Sequence, residues 1–70
     1  MKRTSVNSSS IASIGYDEAV SLLEIEFKKG TVYQYANVPK SLFDALMKAT
    51  SKGRFFDQNI REKFRTTKVG

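Results

Sequence analysis

Leu23, Ile25 and Phe27 alternate with Glu24, Glu26 and Lys28, the period-two pattern of a strand with one buried face. It predicts a strand over residues 21–28, the plainest element of the chain. Upstream, Ile11 and Ile14 are the apolar anchors of a first strand over 9–16, and Gly15-Tyr16-Asp17-Glu18 supplies turn chemistry after it. Downstream, Lys28-Lys29-Gly30 reads as a hairpin loop, and residues 31–38 are rich in the β-branched and aromatic side chains that favour a third strand. Pro39 ends the sheet, because proline cannot donate to a ladder yet suits the first turn of a helix. From there the period changes. Leu42, Leu46 and Ala49 share one helical face, flanked by Phe43 and Met47, which predicts a helix over 39–50. Ser51-Lys52-Gly53 breaks it, with Gly53 as a left-handed cap. Phe56, Ile60 and Phe64 recur every four residues and predict a second helix from 54 or 55 to 64. The fold class is α+β: a three-stranded antiparallel meander followed by two helices packed on one face, in the order β-β-β-α-α. Residues 1–8 are expected to be a flexible N-terminal segment, 9–65 a single domain and 66–70 a loose C-terminal tail.

The hairpin loop decides where Tyr33 and Tyr35 point. Both flank Gln34, so they share one side of their strand. With a three-residue loop, Gly30 takes the left-handed position and Phe27 faces Thr31. Ile25 then faces Tyr33, Leu23 faces Tyr35, and the tyrosines join the apolar side. With a two-residue loop, Phe27 faces Val32 and the tyrosines stand beside Glu24 and Glu26 on the open side. There they would form a stacking platform of the kind that binds single-stranded RNA. Burying Gln34 without a partner costs about 1–3 kcal/mol, which favours the three-residue loop. The two carboxylates would also repel phosphates beside an open platform.

Composition narrows the chemistry. A chain of 70 residues is enough for one domain, and a domain this small buries only about 60% of the surface its unfolded chain exposes. It has neither cysteine nor histidine. Disulfides and thiolate metal sites are excluded, and the commonest general base and metal ligand are missing. Met1-Lys2-Arg3 is basic, but residues 4–10 are polar where a signal peptide needs an apolar stretch. No run approaches the roughly 20 apolar residues that span a bilayer. The expectation is a cytoplasmic protein, no membrane association, no cofactor and no catalytic activity.

Charge is unevenly spread. The first 38 residues balance four cations against four carboxylates. The last 32 hold eight cations against three carboxylates, so the whole net charge of +5 follows Pro39. Such asymmetry suggests an acidic partner such as nucleic acid, or simply a solvated surface. On the second predicted helix, Arg54, Gln58, Arg61 and Arg65 are spaced 4, 3 and 4 apart and so share a face. Arginines at that spacing can grip successive phosphates. Lys52-Gly53-Arg54 brings two cations and free amides to a helix N-terminus, which favours anions, although Asp57 in the first turn already faces that positive end. Ser8-Ser9-Ser10 has no histidine to activate a nucleophile, so backbone hydrogen bonding at a strand start is the expected role. Asp17-Glu18 and Glu24-x-Glu26 read as a turn and an exposed strand face rather than a metal site, and the four glycines are too scattered for a phosphate loop.

The ordered set Ser8-Ser9, Ile14-Gly15-Tyr16-Asp17, Leu23 with Phe27, Gly30, Tyr33-Gln34-Tyr35, Val38-Pro39, Ala49 with Ser51 and Gly53, Phe56 and Ile60 resembles the KTSC domain. That family takes its name from the C-terminus of some lysyl-tRNA synthetases and also occurs as small stand-alone proteins of bacteria and phages. Its hallmark tyrosine-x-tyrosine is matched by Tyr33-Gln34-Tyr35, and the resemblance covers about residues 6–64. It implies a single small domain, an RNA context by association with the synthetases, and no catalytic residue to transfer. Two functions are therefore expected. One is an RNA- or polyanion-binding module, with Arg54, Arg61, Arg65, Lys52 and Gln58 as contacts and Tyr33 and Tyr35 stacking if exposed. The other is a protein-interaction module that binds no nucleic acid. Oligomeric state has no signature in the chain.

Overall fold

In the computed structural model, which describes residues 2–70, seven elements follow one another: β1 (Arg3–Ser5), β2 (Ile11–Asp17), β3 (Leu22–Phe27), β4 (Val32–Tyr35), α1 (Lys40–Lys48), α2 (Lys52–Asn59) and β5 (Thr66–Lys68). The strands form one antiparallel sheet in the order β1-β2-β3-β4-β5. The sheet thus has five strands, not the expected three. β1 lies within the segment expected to fray, whose first residue, Met1, is outside the described residues, and β5 lies where a loose tail was expected. Each short strand covers a row of amides and carbonyls that β2 or β4 would otherwise leave open. All six of their residues are exposed, so no apolar alternation marks them.

The β3–β4 hairpin takes the three-residue loop. The Phe27 amide donates to the Thr31 carbonyl at 2.8 Å, and Gly30, at φ 106°, donates back to Phe27. Leu23 pairs with Tyr35, Glu24 with Gln34, and Ile25 with Tyr33. The tyrosines therefore lie on the apolar side, and Gln34 finds its partner on the other: its amide donates to Glu24 at 2.8 Å. β2 carries a bulge between Ile11 and Ser13. The extra residue lets two isoleucines three apart both face inward, and both are fully buried.

Ile14, Ile25, Leu23 and Tyr35 on the sheet meet Leu46 of α1, and Phe56 and Ile60 from α2 and its end, in one core. Both helices lie on that face. Pro39 is the residue before α1 rather than within it. Ser51 caps α2, its hydroxyl accepting from the Arg54 amide at 3.4 Å. Gly53 is not the left-handed cap expected between the helices but sits in the first turn of α2. A Cβ there would lie 2.7 Å from Ser10 Oγ, so this glycine allows α2 to approach the Ser8–Ser10 loop. α2 also stops at Asn59, five residues before the expected end. Ile60 leaves helical geometry and Glu62 adopts φ 61°. The chain turns there because it must return beside β4, where the Ala36 amide donates to the Arg65 carbonyl at 2.9 Å. Phe64 still packs against the core from outside the helix.

Candidate functional site

The sheet face away from the helices is tied up internally. Arg3 and Glu24 sit on either side of Gly15 in register, and their side chains meet over it at 2.6 Å. Glu24 also accepts from Gln34, and Glu26 accepts from Ser13 Oγ at 2.8 Å. Ser13 is the one buried polar side chain among the described residues, 7% exposed. Asp17 accepts from the Ala19 amide, a local turn bond. These carboxylates have protein partners, and the face offers no paired tyrosines.

The expected arginine stripe is not one helix face. Arg54 and Gln58 share the exposed side of α2, but Arg61 lies in the turn after it and Arg65 lies just before β5. Arg61 pairs with Asp57 at 3.2 Å, with both side chains mostly exposed; such a surface pair contributes about 0–1 kcal/mol. Lys52 Nζ donates to the Ala49 carbonyl at the end of α1, so it serves a helix C-terminus rather than an anion corner. Ser8 Oγ accepts from the Ser10 and Ile11 amides, the backbone role expected of that loop.

A different set of residues converges. The β3–β4 loop and the end of α2 enclose an open cleft of about 340 Å³. Its floor is aromatic: Phe27, Tyr33, Tyr35 and Phe56. Phe27 meets Tyr33 edge-on at 6.0 Å and Phe56 at 5.4 Å, and Phe56 meets Tyr35 at 5.3 Å. Tyr35 and Phe56 are buried, whereas Phe27 and Tyr33 are partly buried. The rim carries Lys29, Arg61, Glu62 and Thr66. An adjoining cleft of about 360 Å³ shares Phe27, Lys29, Phe56 and Arg61 and brings in Lys28 and Asp57. Burial pushes the Tyr35 hydroxyl up to about 12, with Tyr33 adding to the shift and Arg61 opposing it. The hydroxyl is therefore protonated and able to donate at neutral pH.

Of the residues singled out from the sequence, Tyr33, Tyr35 and Arg61 are brought together here. Arg54, Gln58, Arg65 and Lys52 are not among the cleft's lining residues. Phe27, Lys28, Lys29 and Phe56 were missed as site residues. Phe27 and Phe56 read only as core, and Lys28-Lys29 only as loop. Nothing local links residues 27–29 to residues 56–61, which the fold alone places side by side.

The KTSC domain model matches residues 7–64. A protein of Stutzerimonas stutzeri, described as uncharacterized, is 47% identical over 58 residues, which are 83% of this chain and 82% of that one. The lysine–tRNA ligase of Nostoc punctiforme is 40% identical over 55 residues, which are 79% of this chain and 10% of the ligase. The crystal structure of a KTSC domain protein from Yersinia pestis superposes with a TM-score of 0.93 at 48% identity, covering 99% of this chain and 97% of the other.

Proposed function

The chain belongs to the KTSC domain family, and we propose that it acts in the cytoplasm as a non-catalytic module that binds single-stranded RNA. The observation that carries this reading is the meeting of Lys28 and Lys29 from the hairpin loop with Arg61 from the turn after α2 on one side of the molecule. Glu24 and Glu26, the nearest acidic pair in sequence, lie on the other sheet face with partners of their own. Clustered cations that face solvent attract a polyanion, and phosphate is the commonest polyanionic repeat. The likeness to a segment of a lysine–tRNA ligase favours RNA over DNA. Arg54 and Gln58, on the exposed face of α2, extend the surface along a strand.

Titration of a labelled single-stranded RNA and of duplex DNA at low and at moderate salt tests the reading. The expected result is preference for RNA and an affinity that falls with salt, by a logarithmic slope of about 0.7 for each strand phosphate contacted. Arg61→Ala, or Lys28→Ala with Lys29→Ala, lowers that slope without unfolding the domain, since all three residues are exposed. Absence of RNA binding even at low salt overturns the reading and leaves a protein partner as the alternative.

A further inference from the structure

We propose that the aromatic cleft receives one unpaired base of the bound strand, with the phosphate of that nucleotide held at Lys29 and Arg61. The inference rests on the RNA reading and adds to it a pocket with a defined occupant. Phosphate contacts need only surface cations; they do not explain why four rings meet beneath those cations. A cleft of about 340 Å³ is at the small end of ligand pockets, which run from roughly 300 to 1,000 Å³. It suits one ring system rather than an apolar peptide segment.

The floor favours a flat, π-faced occupant. Phe27 and Tyr33 meet edge to face at 72° and are only partly buried, so some ring surface in the cleft is open to a partner. Bases stack on such side chains with little regard to sequence, because every base has a π-face. The hydroxyls of Tyr33 and Tyr35 add polar groups that can bond a base edge. The rim supplies the complementary charge. Lys29 and Arg61 border the same cleft as the rings, and Lys28 borders the adjoining one. Asp57 and Glu62 are the carboxylates at these rims. Asp57 engages one nitrogen of Arg61, and a guanidinium has five N–H donors, so others are left to turn toward a phosphate.

The test compares adenosine 5′-monophosphate with ribose 5-phosphate, which carries the same phosphate and no base. Both are titrated into the isotope-labelled protein and followed by NMR. Base insertion predicts that the nucleotide shifts the ring resonances of Phe27, Tyr33 and Tyr35 saturably. The sugar phosphate should move only signals of Lys28, Lys29 and Arg61, and bind more weakly. Tyr33→Leu, which keeps apolar bulk but removes the ring, should weaken binding of the nucleotide and of single-stranded RNA by at least about fivefold. It should leave ribose 5-phosphate unaffected. Equal shifts from the two phosphates, or RNA binding that leaves the ring resonances unmoved, overturn the base pocket while the RNA reading stands. If neither monophosphate nor RNA binds, the RNA reading falls and takes the pocket with it.

Discussion

Tyr16 stands at the junction of sheet and helices. Its hydroxyl donates to the Val38 carbonyl at 2.6 Å, and its ring stacks on Phe43 with centroids 4.7 Å apart. Val38 is fully buried, so its carbonyl has little recourse to water. Tyr16→Phe keeps the stack and removes the donor. It should cost about 1–3 kcal/mol in denaturant unfolding; a loss below about 0.5 kcal/mol, the floor of an ordinary net hydrogen bond, would mean the bond contributes little. Tyr35 carries a different signature. In the unfolded chain its proton leaves near the ordinary value of 10, and in the folded protein only at about 12. The associated stability is thus complete below about pH 10 and is lost as pH climbs toward 12. Tyr35→Phe should show a shallower alkaline fall across that window, measured by unfolding at successive pH values. Identical slopes would show that the burial of this hydroxyl is not what sets the alkaline limit. The placement of Tyr33 and Tyr35 is only partly legible in the sequence: the cost of burying Gln34 favours one loop length, and the hairpin itself decides between the two. The work of Tyr16 is not. A bond from residue 16 to residue 38 has no local pattern, and the tyrosine reads as part of a turn.

Among the elements, β5 is the least marked and the most consequential. It pairs Thr66, Thr67 and Lys68 with Tyr35, Gln34 and Tyr33, and Val32 exchanges hydrogen bonds with Val69 and Gly70 beyond it. Deleting residues 66–70 removes several backbone hydrogen bonds at about 1 kcal/mol each and should cost about 2–4 kcal/mol. Amide exchange should accelerate first along β4. A tail that merely hung free would be lost without effect on either measurement. α2 makes the complementary point. Its start is written in Ser51, whose hydroxyl accepts from the Arg54 amide, and Ser51→Ala should cost about 0.5–2 kcal/mol in thermal or denaturant unfolding. Its end is not written anywhere. No glycine or proline lies in the ten residues after Asn59, and the apolar spacing of Phe56, Ile60 and Phe64 continues as though the helix did too. The return of the chain to pair with β4 overrides that local period, and with it the four-residue spacing that placed Arg54, Arg61 and Arg65 on one face.

At the scale of the whole molecule, the count of +5 after Pro39 is a poor guide to which cations meet in space. Three of the cations on the clefts' rims are Lys28, Lys29 and Arg61, and two of these belong to the half of the chain whose charges balance. Sequence bookkeeping by halves cannot see this, because the hairpin loop folds back toward the end of α2. If the cleft side carries the interaction, Glu24→Gln with Glu26→Gln, on the other sheet face, should alter RNA affinity little at about 0.1 M salt, where charges beyond roughly 10 Å are screened. A gain in affinity as large as the loss from Lys28→Ala with Lys29→Ala would place the binding surface elsewhere. No helix among the described residues is long and apolar enough to cross a membrane.

Strand order that equals chain order puts β1 and β5 on opposite edges of the sheet, four inter-strand steps of about 4.8 Å apart. Thr66, at the start of β5, borders the cleft, whereas no residue of β1 does. The domain therefore has one edge remote from the cleft and one beside it. Tethered through its N-terminal edge, to a larger protein or to a solid support, it keeps the cleft open. Tethered through residue 70, which is hydrogen-bonded to Val32 next to the hairpin, it holds its linker near the cleft. Fusions at the two ends should consequently differ in ligand capture even when both fold equally well.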